Sequence, residues 1–185
     1  MNAPTAIRTY ITGFMGSGKS TVGPLLAAGL GYEFVDLDLL IEAKEGKAVP
    51  GIFRERGEQA FRSLERRELG LLSTRERIVV ATGGGALTDQ GSWEIIRGSG
   101  LIVYLEVPIE ILIARLRGMR GRPMIAAEDG GPLGDEQLRE RTSTLFRSRE
   151  PLYRRADFIV DAGFQSPVDT VSAILKLLGA LPGST

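Results

Sequence analysis

Short, uninterrupted apolar runs alternate along this chain with stretches whose apolar residues recur every three or four positions. Tyr10-Ile11-Thr12 reads as the end of a first strand, and Tyr32 to Asp36, Ile78 to Thr82, Leu101 to Leu105 and Phe158 to Val160 supply four more. Val22, Leu25, Leu26, Gly29 and Leu30 follow at helical spacing, as do Val168, Val171, Ile174, Leu175 and Leu178 near the end. These aliphatics are expected mostly in the core. Alternation of this kind predicts an α/β fold with a mostly parallel sheet covered by helices. The stretch from Gly118 to Gly134 differs, with Gly118, Gly121, Gly130, Gly131, Gly134, Pro123 and Pro132 and almost no helical periodicity. Too little chain follows it for a second domain. The expectation is therefore one domain over 1–185 with a mobile lid at about 118–134 and a loose tail at about 179–185.

Composition narrows the chemistry. The 23 Lys and Arg balance the 23 Asp and Glu, so there is no basic excess to favour a nucleic-acid partner. The chain contains neither cysteine nor histidine, which excludes disulfides, thiolate zinc sites, Cys or His nucleophiles and Ser-His-Asp triads. Any metal must then be held by oxygen ligands, as magnesium is. No apolar run approaches the roughly 20 residues of a membrane span, and Met1 to Thr9 lacks a signal core. These features predict a cytoplasmic protein, and the absence of a heptad seam predicts a monomer.

Gly13 to Ser20 fits G-x-x-x-x-G-K-[ST] at every fixed position, between a strand and an amphipathic helix. Glycines are needed because successive N–H groups must turn inward around phosphate, where a side chain would intrude. Gly13, Met15, Gly16, Ser17, Gly18, Lys19, Ser20 and Thr21 are the expected nucleotide contacts. Lys19 supplies charge to the β- and γ-phosphates, Ser20 offers its hydroxyl to magnesium, and the following helix points its positive end at the anion. Pro24 lacks an N–H and is expected to bend the second turn. No Asn-Lys-x-Asp guanine reader is present, so a small-molecule kinase suits this length better than a GTPase.

The acceptor side is read from acids, arginines and glycines further on. Asp36 and Asp38 close the second strand, and a spacing of two places both on one face if the strand persists. That end of a parallel strand borders the ligand crevice. Arg62 and Glu65, three apart on a predicted helix over 52–65, share a face. Gly83-Gly84-Gly85 follows the third strand, where something must approach the backbone closely.

With these residues in place the chain resembles the shikimate kinases over about residues 8 to 178. The resemblance rests on GFMGSGKSTVG at 13–23, DLD at 36–38, IFRERGEQAFRSLE at 52–65 and TGGG at 82–85. Arg122-Pro123 and Arg149-Glu150-Pro151-Leu152-Tyr153 complete it. It implies a three-layer P-loop kinase fold with five parallel strands in the order 2-3-1-4-5, and transfer of the ATP γ-phosphoryl group to the 3-hydroxyl of shikimate. By the same resemblance Asp38 holds the acceptor hydroxyl, Arg62 and Arg149 grip its carboxylate, and Gly83, Gly84 and Gly85 line the ring pocket. Phe53 and Phe61 form an apolar wall, Glu65 orients Arg62, and Arg122 closes over both substrates. Asp36 acts on the magnesium side through water, and Arg115 stacks on adenine. The flap is rather long and acidic for the family, and Pro24 and Pro50 are unusual.

Two alternatives stay open at this stage. One is a kinase for a related hydroxy acid such as an aminoshikimate or gluconate. The other is a non-catalytic sensor of nucleotide and ligand, which would be expected to have lost Lys19, Asp38 or Arg122.

Overall fold

The computed structural model describes residues 8–117, 123–125 and 133–180. Its sheet contains β1 (Thr9–Thr12), β2 (Glu33–Asp36), β3 (Ile78–Ala81), β4 (Leu101–Glu106) and β5 (Phe158–Asp161), in the order β2-β3-β1-β4-β5. Every neighbouring pair is parallel, with Tyr10 opposite Val80 on one side and Ile102 on the other. The two innermost strands by burial, β1 and β3, have no exposed residue, as a sheet covered on both faces requires. The five strands expected from the apolar runs are all present, each within a residue or two of its expected limits.

The helices are α1 (Lys19–Leu30), α2 (Leu37–Glu45), α3 (Val49–Leu72), α4 (Gln90–Ser99), α5 (Ile109–Leu116), α6 (Asp135–Tyr153) and α7 (Pro167–Gly179). α1 packs on α7, and α3 on α4. The first contact is close: a Cβ on Gly29 would lie 3.1 Å from the Leu175 side chain. Side-chain caps start α2, α4 and α7 at Asp36, Asp89 and Ser166.

Several expectations need correcting. Leu25 and Val168, placed with the core by periodicity, are 42% and 65% exposed, because each stands at the rim of its helix's apolar stripe. Gly179 belongs to α7 and is not part of a loose tail; residues 181–185 lie outside the described residues. Of the expected lid, only Pro123–Ile125 and residues 133–134 are described, the former as a 3₁₀ turn. Pro24 sits inside α1, which continues to Leu30. Pro50 occupies the first turn of α3, where its missing N–H has no partner to lose.

The carboxyl ends of β1, β2, β3 and β5 all open on the same rim. The phosphate loop, Asp36, the glycine triplet and the segment after Asp161 therefore converge there.

Candidate functional site

The phosphate loop leaves β1 at Thr12 and enters α1 at Lys19. Gly16 and Gly18 adopt φ of 81° and 97°, which L side chains rarely take. Gly18 caps α1 without a side-chain bond, so the first N–H groups of that helix face the cradle. Lys19 Nζ donates to the carbonyls of Gly13 and Phe14 at 2.7 and 2.9 Å, arching over the loop it serves.

Beside it, Ser20 Oγ donates to Asp36 Oδ2 at 2.7 Å. The other oxygen, Oδ1, accepts from the backbone N–H groups of Asp38 and Leu39 at 3.1 and 3.4 Å and caps α2. The strand does not persist: it ends at Asp36, and Asp38 lies in the first turn of α2. The expectation of one shared strand face is thus replaced by a division of labour. Asp36 joins Ser20 beside the phosphate loop, and the helix carries Asp38 toward Gly83 and Glu65. A hydroxyl and a carboxylate side by side suit a hard cation, whose remaining ligands would be phosphate and water oxygens.

α3 is not one straight helix. Gly57, at φ 78° and ψ 172°, breaks it into two stretches, a conformation essentially confined to glycine. In a continuous helix Phe53 and Phe61 would be separated by about 12 Å along the axis. The break instead brings their rings to 4.8 Å, so the expected apolar wall forms across the kink.

On the second stretch Arg62 Nη1 donates to Glu65 Oε2, and Glu65 is fully buried. Opposite stands the glycine triplet. A Cβ on Gly83 would lie 2.5 Å from Glu65 Oε1 and 2.8 Å from Asp38 Oδ1, and one on Gly85 would collide with the Arg62 guanidinium. What approaches this backbone so closely is the site's own charged side chains. Gly84 in turn lies against the phosphate loop, its Cβ position 3.3 Å from the Met15 nitrogen.

Gly84's carbonyl accepts from Tyr153 Oη and, at 3.3 Å, from Arg149 Nη1. Arg149 is 4% exposed, and among the described residues it forms no ion pair with a carboxylate. Burial lowers its pKa from the ordinary value, although neighbouring Tyr153 and Glu58 oppose this. A buried guanidinium lacking a carboxylate partner is costly unless an anion completes it.

Glu65 is the strained member. Burial, opposed by Arg62 and reinforced by the Asp38 charge, raises its pKa to about 7. Its Oε1 accepts no hydrogen bond from any described residue. Between the unfolded value of 4.5 and about 7, the folded state therefore holds a proton that the unfolded state releases. Folding stability from this group is present below that window and is lost as pH rises through it. Glu65→Gln cannot ionise, so its stability relative to wild type is expected to improve from pH 5 to pH 7.5. Urea melts of both proteins at several pH values check this; a gap independent of pH would contradict the assignment.

Most of these residues, among them Lys19, Ser20, Asp36, Asp38, Arg62, Glu65 and Arg149, line one cavity of about 750 Å³ that also takes in Arg115. Arg115 Nη1 donates to the Gly16 carbonyl at 3.0 Å, and Nη2 reaches the Ala162 carbonyl at 3.4 Å. It therefore bridges the phosphate loop and the segment after β5. Arg122 lies outside the described residues. The remaining expected site residues converge. Sequence reading missed Ala162, Gln165 and Pro167 after β5, and Leu39, Glu42, Val49 and Met124, all of which line the cavity. Their only signal was position: the first three follow the carboxyl end of a parallel strand, the rule already applied to Asp36.

The chain is similar to known proteins in sequence and in fold. The family model described as shikimate kinase matches residues 15–179. A shikimate kinase of Chlorobaculum tepidum is 47% identical over 82% of this chain and 79% of its own length. One from Salinibacter ruber is 43% identical over 91% and 82%, respectively. The solved structure of shikimate kinase from Acinetobacter baumannii, in complex with shikimate, superposes with a TM-score of 0.86 at 36% identity. That superposition covers 95% of this chain and 94% of the other.

Proposed function

The chain belongs to the shikimate kinase family, and from that premise we propose how its own residues transfer the γ-phosphoryl group of ATP to the 3-hydroxyl of shikimate. The observation that carries the reading is Arg149, a buried cation with no described carboxylate within ion-pair distance, opening on the cavity that holds the phosphate loop. Such a site takes two anions at once: a polyphosphate over Gly13 to Ser20, and a small carboxylate at Arg62 and Arg149.

Phosphoryl transfer passes through a loose transition state, so positioning and charge neutralisation outweigh strong base catalysis. Arg62 and Arg149 fix the acceptor by its carboxylate, with each charge-assisted bond contributing about 1.5–3 kcal/mol. Phe53 and Phe61 cover the apolar ring face, and Gly83 to Gly85 admit it against bare backbone. Asp38, whose Oδ1 lies against Gly83, holds the reacting hydroxyl in line. Lys19 and the first N–H groups of α1 meet the charge developing on the transferred group. Ser20, with Asp36 acting through water, would hold magnesium, which supplies positive charge to the β- and γ-phosphate oxygens when bound. Arg115 sits against adenine, and Arg122 retains the closing role that its motif implies.

We extend the proposal to a cytoplasmic monomer without a nucleic-acid or membrane partner. The balanced charge offers no electrostatic footing for a polyanion, and no described helix is long and apolar enough to cross a membrane.

An acceptor screen with coupled detection of ADP tests the assignment. Shikimate is expected to be turned over far faster than gluconate, an aminoshikimate or any nucleoside monophosphate. Preference for a nucleoside monophosphate would refute it.

A further inference from the structure

Arg62 carries five N–H groups, and its surroundings already claim three of them. Nη1 donates to Glu65, while Nε and Nη2 both donate to Glu58 Oε1, at 3.3 and 2.8 Å. A single Glu58 oxygen thus accepts from both N–H groups on the Nε–Nη2 edge of the guanidinium. The charge of the same residue also reaches Arg149. One acidic side chain, reaching Arg62 from a smaller recess beside the main cavity, therefore acts on both cations.

The two carboxylates on Arg62 are not equivalent. Glu65 is fully buried and comes from the same helical stretch, one turn on. Glu65 and the close approach of Gly85 already hold the guanidinium in place. The Glu58 side chain is 46% exposed and can turn out into water without losing a buried contact. It stands one residue after the Gly57 break, at the start of the second stretch of α3. Nothing in this geometry requires Glu58 for holding Arg62; its charge opposes a second anion there.

We propose that Glu58 is a specificity-setting residue, an exchangeable carboxylate that occupies the fork of Arg62 and must yield to the carboxylate of the acceptor. It opposes any acceptor carboxylate that must use the fork of Arg62 and leaves a neutral acceptor unaffected. A carboxylate able to engage Arg62 and Arg149 together displaces Glu58, whereas a weakly placed anion does not. This proposal rests on the assignment of shikimate as acceptor.

The test compares Glu58→Gln with wild type in steady-state kinetics on shikimate and on its uncharged carboxamide, at saturating MgATP. The variant is expected to lower KM for shikimate about three- to fivefold, the scale of a half-exposed ion pair. The expected kcat and KM for ATP change less than twofold, and kinetics on the carboxamide do not change. A KM for shikimate that stays level or rises would overturn the proposal, since Glu58 would then support Arg62 or serve only as a first-turn acid of its helix. An equal gain with the carboxamide would overturn it too, because charge would not be the cause. Wild-type protein inactive on shikimate would sink the acceptor assignment itself. Circular dichroism melts of both proteins confirm that the comparison is between folded enzymes.

Discussion

Arg62→Ala is expected to lower kcat/KM for shikimate by at least about a hundredfold while KM for ATP changes by less than about twofold. Two charge-assisted hydrogen bonds to a carboxylate are worth about 3–6 kcal/mol together, more than enough for that loss. The phosphate loop would not feel the change directly, because Arg62 contacts α3 and the glycine triplet rather than Gly13 to Ser20. A second consequence follows from Glu65. Without Arg62 its buried carboxyl loses the largest influence opposing burial, so its pKa climbs further above about 7. The variant should therefore lose more stability than wild type does as pH is raised from 6 to 8. Kinetics with each substrate varied in turn, together with urea melts at both pH values, check the two halves. Collapse of ATP binding with acceptor binding intact would remove Arg62 from the carboxylate grip.

Asp38→Asn is expected to reduce kcat by about 10²–10³-fold, with KM for either substrate changing little. The exchange preserves shape and removes the charge, so it isolates what the carboxylate does in the transition state. Loss of one preorganised polar group at a reacting centre typically costs about 3–4 kcal/mol. Asp38 is placed to act this way by three constraints. Asp36 caps the helix that carries it, Gly83 leaves room for its oxygen, and Glu65 stands across the same gap. Single-turnover phosphorylation measured by rapid quench distinguishes chemistry from product release. A variant retaining more than a tenth of wild-type kcat would show that Asp38 is not needed to align the hydroxyl.

Both expectations draw on residues that were visible before folding, but for reasons that changed. Arg62 and Glu65 were correctly paired by helical spacing, yet spacing could not show that Glu65 is fully buried. Nor could it show that Glu58 takes the opposite edge of the same guanidinium. Asp38 was singled out on the assumption of a continuing strand. The actual turn into α2 separates Asp38 from the Ser20–Asp36 pair.

The chain alone established the phosphate loop, the five strands, the glycine triplet and the identity of nearly every charged residue in the site. These are local properties: backbone conformations only glycine adopts, apolar runs of fixed period, and side-chain types with restricted chemistry. Tertiary structure decided what depends on distance between separate elements. Gly57 turned a nominal helix back so that Phe53 meets Phe61. Packing of α6 behind the third strand's loop buried Arg149 and tied Tyr153 to Gly84. The glycine triplet, read first as room for a ligand, proved equally to be room for Arg62, Glu65 and Asp38. Burial and apposition are properties of the packed whole, and they set the charge balance at the acceptor, which no spacing along the chain encodes.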